Sequence, residues 1–467
     1  MAARKTVEVP IDPQQDAEFD RTLELLRELV DWSAADQEFP VRGNAVYSTS
    51  VVLWMLVSQR MNPARSLEAG VKRLIETPPD FLPRNKRVFE KTLSAGTGSY
   101  SRARTRLQRD AAEWFAQRVS QSLIEATAPS WDGRRVYLLD GTTITLAPEP
   151  ALRREFPPAS NQHCANPNRV GVWPVALLVV AHELSSGAAL LPAVGAKFGA
   201  HAVSETALVR ELFTQMPTDG IAMADSGFGI FAVAWDAQQT SRDFVFRLTD
   251  VRFHTLRRRA TLVTHGQNST TYSLTWQPSA KERKTHPELP DDAAIEVRLH
   301  EIRIHDSLTL YLVTSLPNSA EELSDLYRLR GDIEIDIRNL KVVLNTERLE
   351  SRSVEMFHKE LLMSQVAYNL VTQFRRQGPA IINQPPRRMS FQRTWTTFNI
   401  FLWSSSATPT DAPRWRVKYR DALKMATQDI LPNRPGRSFE RETYPRRPKS
   451  NQFKKRRPKT PAPEPDS

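Results

Sequence analysis

Two aspartates each close a short apolar run, Asp140 in LLDGTT and Asp225 in MADSGFG. A carboxylate at the carboxyl end of a buried strand stands at the mouth of an α/β sheet, where ligands and metal ions collect. Gly141 directly follows the first and Gly227 lies two residues after the second, allowing tight backbone turns at both places. Taken singly, each aspartate also reads as ordinary Asp-Gly turn chemistry that needs no ligand. A third element adds a helix face. In YRLRGDIEIDIRNLK, Tyr327, Arg330, Glu334 and Lys341 fall at offsets 0, 3, 7 and 14, within an arc of roughly 60° at about 100° per residue. Leu326, Ile333, Ile337, Leu340 and Leu344 form an adjacent apolar stripe that would dock this helix on a core. Asp332 and Asp336 point away from the polar face, so Glu334 is the acid on it. That face could equally hold a plain Arg330–Glu334 ion pair, worth ~0.3–0.5 kcal/mol. Gly331, in mid-helix, costs about 1 kcal/mol against alanine.

Other chemistries find no support in the sequence. There is no Gly-x4-Gly-Lys-Ser/Thr loop, so no nucleotide cofactor is expected. GTG at Gly96 and GFG at Gly227 do not extend to a dinucleotide fingerprint. No Gly-x-Ser-x-Gly elbow occurs, and the nine histidines contain no HExxH. The single cysteine, Cys164, excludes an internal disulfide and any Cys-based zinc cluster. Its neighbour His163 lies with it in a Pro/Asn-rich stretch that reads as a loop. His201 and Glu205, four apart on an expected helix, read as structural.

The elements that must position the acids follow from patterning. Residues 1–130 read as a helical N-terminal domain: FDRTLELLRELVDW at 19–32, an apolar helix at 47–59 and a helix after Ser66. GTGSYSRARTRL at 96–107 leads into a further helix, with Arg102, Arg104, Arg106 and Arg109 concentrating charge that would dock DNA or lie solvated. From 131 to 249 short strands and helices alternate, giving an α/β layer pattern. Strands are expected at 136–139, 142–146, 174–182, 188–194, 221–224 and 244–248, with a helix at 204–213. Residues 250–315 read as a β-rich insertion. A long helix over 321–349 and another over 357–374 follow in a segment spanning 316–433.

Charge divides the chain unevenly. The formal net charge is +11, of which residues 434–467 carry +7 and residues 1–433 only +4. That tail is rich in proline and poor in apolar residues, so it reads as disordered. It suits phosphate backbones, where counterion release gives salt-dependent, sequence-independent affinity, or acts as a solubilising tail. The longest apolar run, 170–181, is far short of the ~20 residues that cross a bilayer, and the first residues lack the apolar core of a secretory signal. No membrane partner and a reducing cytosolic location are therefore expected.

The set Asp140, Asp225 and Glu334, with Tyr327-x2-Arg330-x3-Glu334-x6-Lys341, resembles the DDE transposases of the IS4 type. The Tyr-Arg-Glu-Lys spacing is the specific part; DGTT and DSGFG are similar to the family's aspartate motifs. The acids are separated by 85 and 109 positions, and the second interval is long enough for the β insertion such enzymes carry. The resemblance covers about 130–375 well and GSYSRARTRL more weakly. It implies a ribonuclease H-like α/β core interrupted by the β-rich insertion, with the helical domain binding DNA ends. It implies that Asp140, Asp225 and Glu334 are catalytic and hold Mg²⁺, for which Mn²⁺ may substitute, in a two-metal mechanism. Tyr327, Arg330 and Lys341 would contact DNA phosphates, and Trp276 is a weaker candidate for stacking a flipped base. The implied activity is cleavage and strand transfer at terminal inverted repeats. The partners would be double-stranded transposon ends and target DNA, with a homodimer on paired ends in a bacterial cytosol, nucleoid-associated when bound to DNA. A nuclease without strand transfer and a silent DNA-binding descendant are the alternatives.

Overall fold

The structure, a computed structural model, describes residues 24–431 except 25, 30, 44, 63, 130, 160–172, 344–345, 347, 350, 378–385 and 429. The His163–Cys164 pair, Leu344 and the basic tail lie outside the described residues.

Ten strands form one mixed sheet: β1 (Val136–Leu146), β2 (Val175–Glu183), β3 (Ala193–Ala196), β4 (Ile221–Ala224), β5 (Asp243–Arg247), β6 (Thr261–His265), β7 (Ser269–Trp276), β8 (Ile295–His305), β9 (Leu308–Thr314) and β10 (Arg348–Leu349). The order is β3-β2-β1-β4-β5-β9-β8-β7-β6, with β10 on β1. β3, β2 and β1 pair antiparallel, whereas β1, β4 and β5 pair parallel. β2 reads VALLVVAHE because both of its faces are covered. Leu177, Val179 and Ala181 enter one apolar cluster, while Ala176, Leu178 and Val180 enter clusters on the opposite face, as the strand period of two requires.

The strands of 250–315 continue this sheet, because β9 pairs antiparallel with β5. The same stretch also contains helices Asp250–Arg257 and Ala280–Thr285, which its β-prone composition did not suggest. Trp276 is buried and meets Phe231 edge-on at 5.6 Å. It is a core residue here, not a ring open to a base.

Helices Thr49–Met61 and Arg109–Glu125 pack in one apolar cluster with Val354–Gln377, Phe391–Ser405 and Pro413–Ala426. Trp54 packs edge-on against Trp403, 349 residues later. The N-terminal helices therefore share their core with the end of the described chain. No helix among the described residues is long and apolar enough to cross a membrane.

Three local expectations differ from the structure, the first being the strand expected at 188–194, where only a bridge at Ala189 precedes β3. Asp140 does not end a strand: β1 runs unbroken through Asp140 and Gly141, because β2 pairs along its length and matches Asp140 with Val180. The helix expected over 321–349 is broken. Ala320–Arg328 gives way to a 3-10 turn at Leu329–Gly331, resumes at Asp332–Arg338, and widens into a π-helical stretch, Asn339–Val343. Gly331, a poor helix former, sits at the first break. At the far end, Arg348–Leu349 pair with Thr145–Leu146 and bury Leu349, so strand pairing wins over helix there.

Candidate acidic site on the central strands

The parallel register places the two aspartates side by side. Leu138 pairs with Met223, the last matched pair of β1 and β4. Carrying the register forward by two residues sets Asp140 beside Asp225. Beyond this point β4 ends, and β1 gains no neighbour on that edge until β10 joins at Thr145. The opening between β4 and β10 is thus lined at one end by both acids. Each aspartate turns one oxygen onto nearby backbone: Asp140 Oδ1 accepts from Gly141 N at 2.8 Å, and Asp225 Oδ1 from Gly227 N at 2.9 Å.

The broken helix brings the third acid. Leu326, Ile333, Ile337 and Leu340 are buried against the sheet and the helical cluster, as the apolar stripe requires. Their burial turns Arg330 and Glu334 toward the aspartates. Arg330 Nη1 donates to Glu334 Oε1 at 3.2 Å, while its Nη2 lies 3.4 Å from Asp140 Oδ2 and 3.9 Å from Asp225 Oδ2. One largely buried guanidinium therefore reaches all three carboxylates. Asp332 and Asp336 turn elsewhere: both are held by Arg387, at 3.1 and 2.7 Å.

Lys341 Nζ donates to Thr142 Oγ1 at 3.2 Å, which ties the π-helical stretch to β1. Tyr327 is partly buried against the sheet, and burial pushes its hydroxyl up to about 12 despite nearby Arg330. Burial also raises Asp140 above the usual carboxylate range, with Arg330 opposing and Asp225 and Glu205 adding to the rise.

Glu205, read from the sequence as a structural helix residue, is a further neighbour of the acids. It opens helix Glu205–Phe213, and its carboxylate occupies the space a Cβ on Gly141 would need. Gly141 thus admits a close approach by Glu205 inside the strand and does not form a turn. Nothing local in the sequence links positions 141 and 205.

Among the described residues, no three His, Cys, Asp or Glu side chains stand close enough together to hold a metal ion. The donor chemistry nonetheless fits a divalent cation. Three carboxylates are hard oxygen ligands of the kind Mg²⁺ takes, and they already share one positive charge, that of Arg330.

Known proteins resemble this chain in sequence. A family model described as "Transposase DDE domain group 1" matches residues 194–393, a span that contains Asp225, Arg330, Glu334 and Lys341. Asp140 precedes that span, and the stretch 194–393 is similar to a DDE transposase domain. Over most of its length the chain resembles a transposase of the IS4 type. It is 25% identical over 420 residues to transposase InsG for insertion sequence element IS4 from Escherichia coli (strain K12), covering 86% of this chain and 88% of that one. A solved piggyBac transposase synaptic complex with hairpin DNA is similar over 93% of this chain and 88% of its own, at 13% identity and a TM-score of 0.39.

Proposed function

We propose that the protein is a DNA transposase that cleaves at the terminal inverted repeats of an insertion sequence and joins the freed 3′ ends to target DNA. The observation that carries this reading is the convergence of Asp140, Asp225 and Glu334 on the single guanidinium of Arg330. Strand order β3-β2-β1-β4-β5 is read as a ribonuclease H-like core. The proposed organisation is a helical end-binding region at 1–130, core segments at 131–249 and 316–433, a β-rich insertion at 250–315 and a basic tail at 434–467.

In this reading Asp140, Asp225 and Glu334 hold Mg²⁺ or Mn²⁺. Such ions activate an attacking oxygen and neutralise charge on a phosphate undergoing in-line displacement. The chain's own groups prepare the site. Asp140 and Asp225 are fixed by strand register, and their bonds to Gly141 and Gly227 leave the second oxygen of each directed at Arg330. Arg330 offsets the repulsion of three acids and can pass its planar fork to a DNA phosphate. Lys341 supplies a point charge beside β1. Tyr327, protonated at neutral pH, keeps a hydroxyl proton to donate to a phosphate oxygen. A homodimer on paired ends, acting in the cytosol on nucleoid DNA, completes the proposal.

The test is a labelled DNA fragment carrying the element's end, incubated with target plasmid, Mg²⁺ and protein, beside Glu334→Gln. Glu334-dependent cleavage with joining to the plasmid supports the reading. Cleavage that never leads to joining would make the protein a nuclease, and binding without cleavage under any divalent metal would make it a silent DNA-binding descendant.

A further inference from the structure

We propose that a cavity between the N-terminal helices and the start of helix Val354–Gln377 is a binding site for a phosphate-class anion. It encloses about 550 Å³, and its lining includes none of Asp140, Asp225, Tyr327, Arg330, Glu334 or Lys341. Five Lys or Arg side chains line it against two Glu, a surplus of three positive charges. The site stands whether or not the strand-transfer reading does.

Buried donors without acceptors point to a ligand. Arg60 is 5% exposed, yet its Nη1 is buried and meets no hydrogen-bond partner, and the residue makes no ion pair among the described residues. Arg104, from the arginine-rich stretch noted in the sequence, turns inward: Nη2 binds Glu360 Oε1 at 2.6 Å, while Nε is buried and unpartnered. Ser351, 3% exposed, leaves its Oγ in the same state. A buried donor left without an acceptor carries a desolvation cost that a bound anion removes. Arg60, Arg104 and Ser351 all line the one cavity, and three such side chains call for a ligand rich in acceptors.

Two helix N-termini reinforce the field. Ser66 caps Leu67–Glu76 by accepting from Ala69 N, and Ser353 accepts from Met356 N at the start of Val354–Gln377. Both serines line the cavity, so the positive ends of both helices are directed at it. A phosphate presents several acceptor oxygens and a negative charge, which matches guanidinium forks, a hydroxyl and helix N-termini converging from different elements. The chemistry is common to a DNA backbone phosphate and to free phosphate, and the experiment separates them.

The full-length protein is titrated with inorganic phosphate at constant ionic strength, with chloride as control, following heat and thermal midpoint. Arg352→Ala and Arg60→Gln are run alongside. The Arg352 side chain is 86% exposed, so its removal leaves the fold intact even if Arg60→Gln does not fold. Phosphate should raise the midpoint of the wild type above chloride, and Arg352→Ala should weaken binding at least fivefold. A generic 30-base-pair duplex is then added. Displacement of phosphate assigns the cavity to the DNA backbone; retention assigns it to free phosphate. A wild-type midpoint that responds equally to phosphate and chloride, or an Arg352→Ala affinity equal to wild type, overturns the proposal.

Discussion

Arg330 Nη2 lies 3.4 Å from Asp140 Oδ2, although 190 residues separate the two in the chain. The same side chain bonds Glu334 one helical turn away. A contact between distant positions thus depends on a local i,i+4 pair, and the guanidinium stands where the acids would otherwise repel one another.

Removing that charge should leave the acids freer to take a metal ion. Arg330→Gln is expected to bind Mn²⁺ more tightly than wild type in the absence of DNA, by about threefold or more, as read from the free-ion electron paramagnetic resonance signal. Equal affinity would show that the guanidinium and the ion do not compete.

Each carboxylate should be indispensable for cleavage. Asp140→Asn, Asp225→Asn and Glu334→Gln are expected to cut end DNA at least about 100-fold more slowly, since loss even of groups that merely support metal ligands costs 10–100-fold. End binding in a gel-shift assay should persist. Any of the three that cleaves at the wild-type rate is not a ligand.

The neighbouring acid on the same helix should behave differently. Asp336 is 1% exposed and bound to Arg387 at 2.7 Å, so Asp336→Ala leaves a mostly buried guanidinium with only its 3.1 Å pair to Asp332. A loss of about 2 kcal/mol in urea unfolding is expected, less than the ~3–5 kcal/mol of a fully orphaned buried charge. Glu334→Gln, on an exposed side chain, should stay within about 0.5 kcal/mol.

His300 makes stability sensitive to acid. It is fully buried beside Thr271, and burial, followed by nearby Arg298, lowers its pKa to about 4. The unfolded chain takes up this proton at about 6.5 and the folded chain only near 4. Stability is therefore intact above about pH 6.5, falls through this window, and is lowered by about 3 kcal/mol below it. His300→Gln should reduce the slope of the thermal midpoint between about pH 6.5 and 4, leaving the share of part-buried His358 and buried His182, whose pKa values are also lowered; an unchanged slope would remove His300 as a source.

The basic tail should act through phosphate charge alone. Deleting 434–467 is expected to lower affinity for unrelated duplex DNA and to reduce the slope of log K against log salt. A constant slope in fluorescence anisotropy titrations would leave it a solubilising segment.

What the sequence displays here is periodicity. The 3.6-residue count separates Glu334 from Asp332 and Asp336, and in the structure Arg330 takes the first while Arg387 takes the other two. The apolar runs at 221–224 and 175–183 are strands because nothing but a sheet interior suits them. Asp140-Gly141 misled because local turn chemistry is overridden by antiparallel pairing with Val180 and Val179, which no local pattern shows. The 3-10 and π-helical turns flanking Asp332–Arg338 escape a fixed 100° count, and the helix Phe231–Gln239 buries four successive residues, Phe231 to Ala234, so it shows no clean stripe. Glu205 is legible as a helix residue, but its place beside Gly141, 64 positions earlier, is not.

Strand β1 takes its neighbours from 175–183, 221–224 and 348–349. During synthesis, the aspartates emerge well before the guanidinium and glutamate that complete their surroundings, and β10 arrives later still. A polypeptide interrupted before residue 330 would carry two adjacent acids with no shared cation and an unfilled edge beside them. Assembly of the site therefore waits for about three quarters of the chain to be made, and a product truncated before residue 330 cannot bring its acids together with the shared cation.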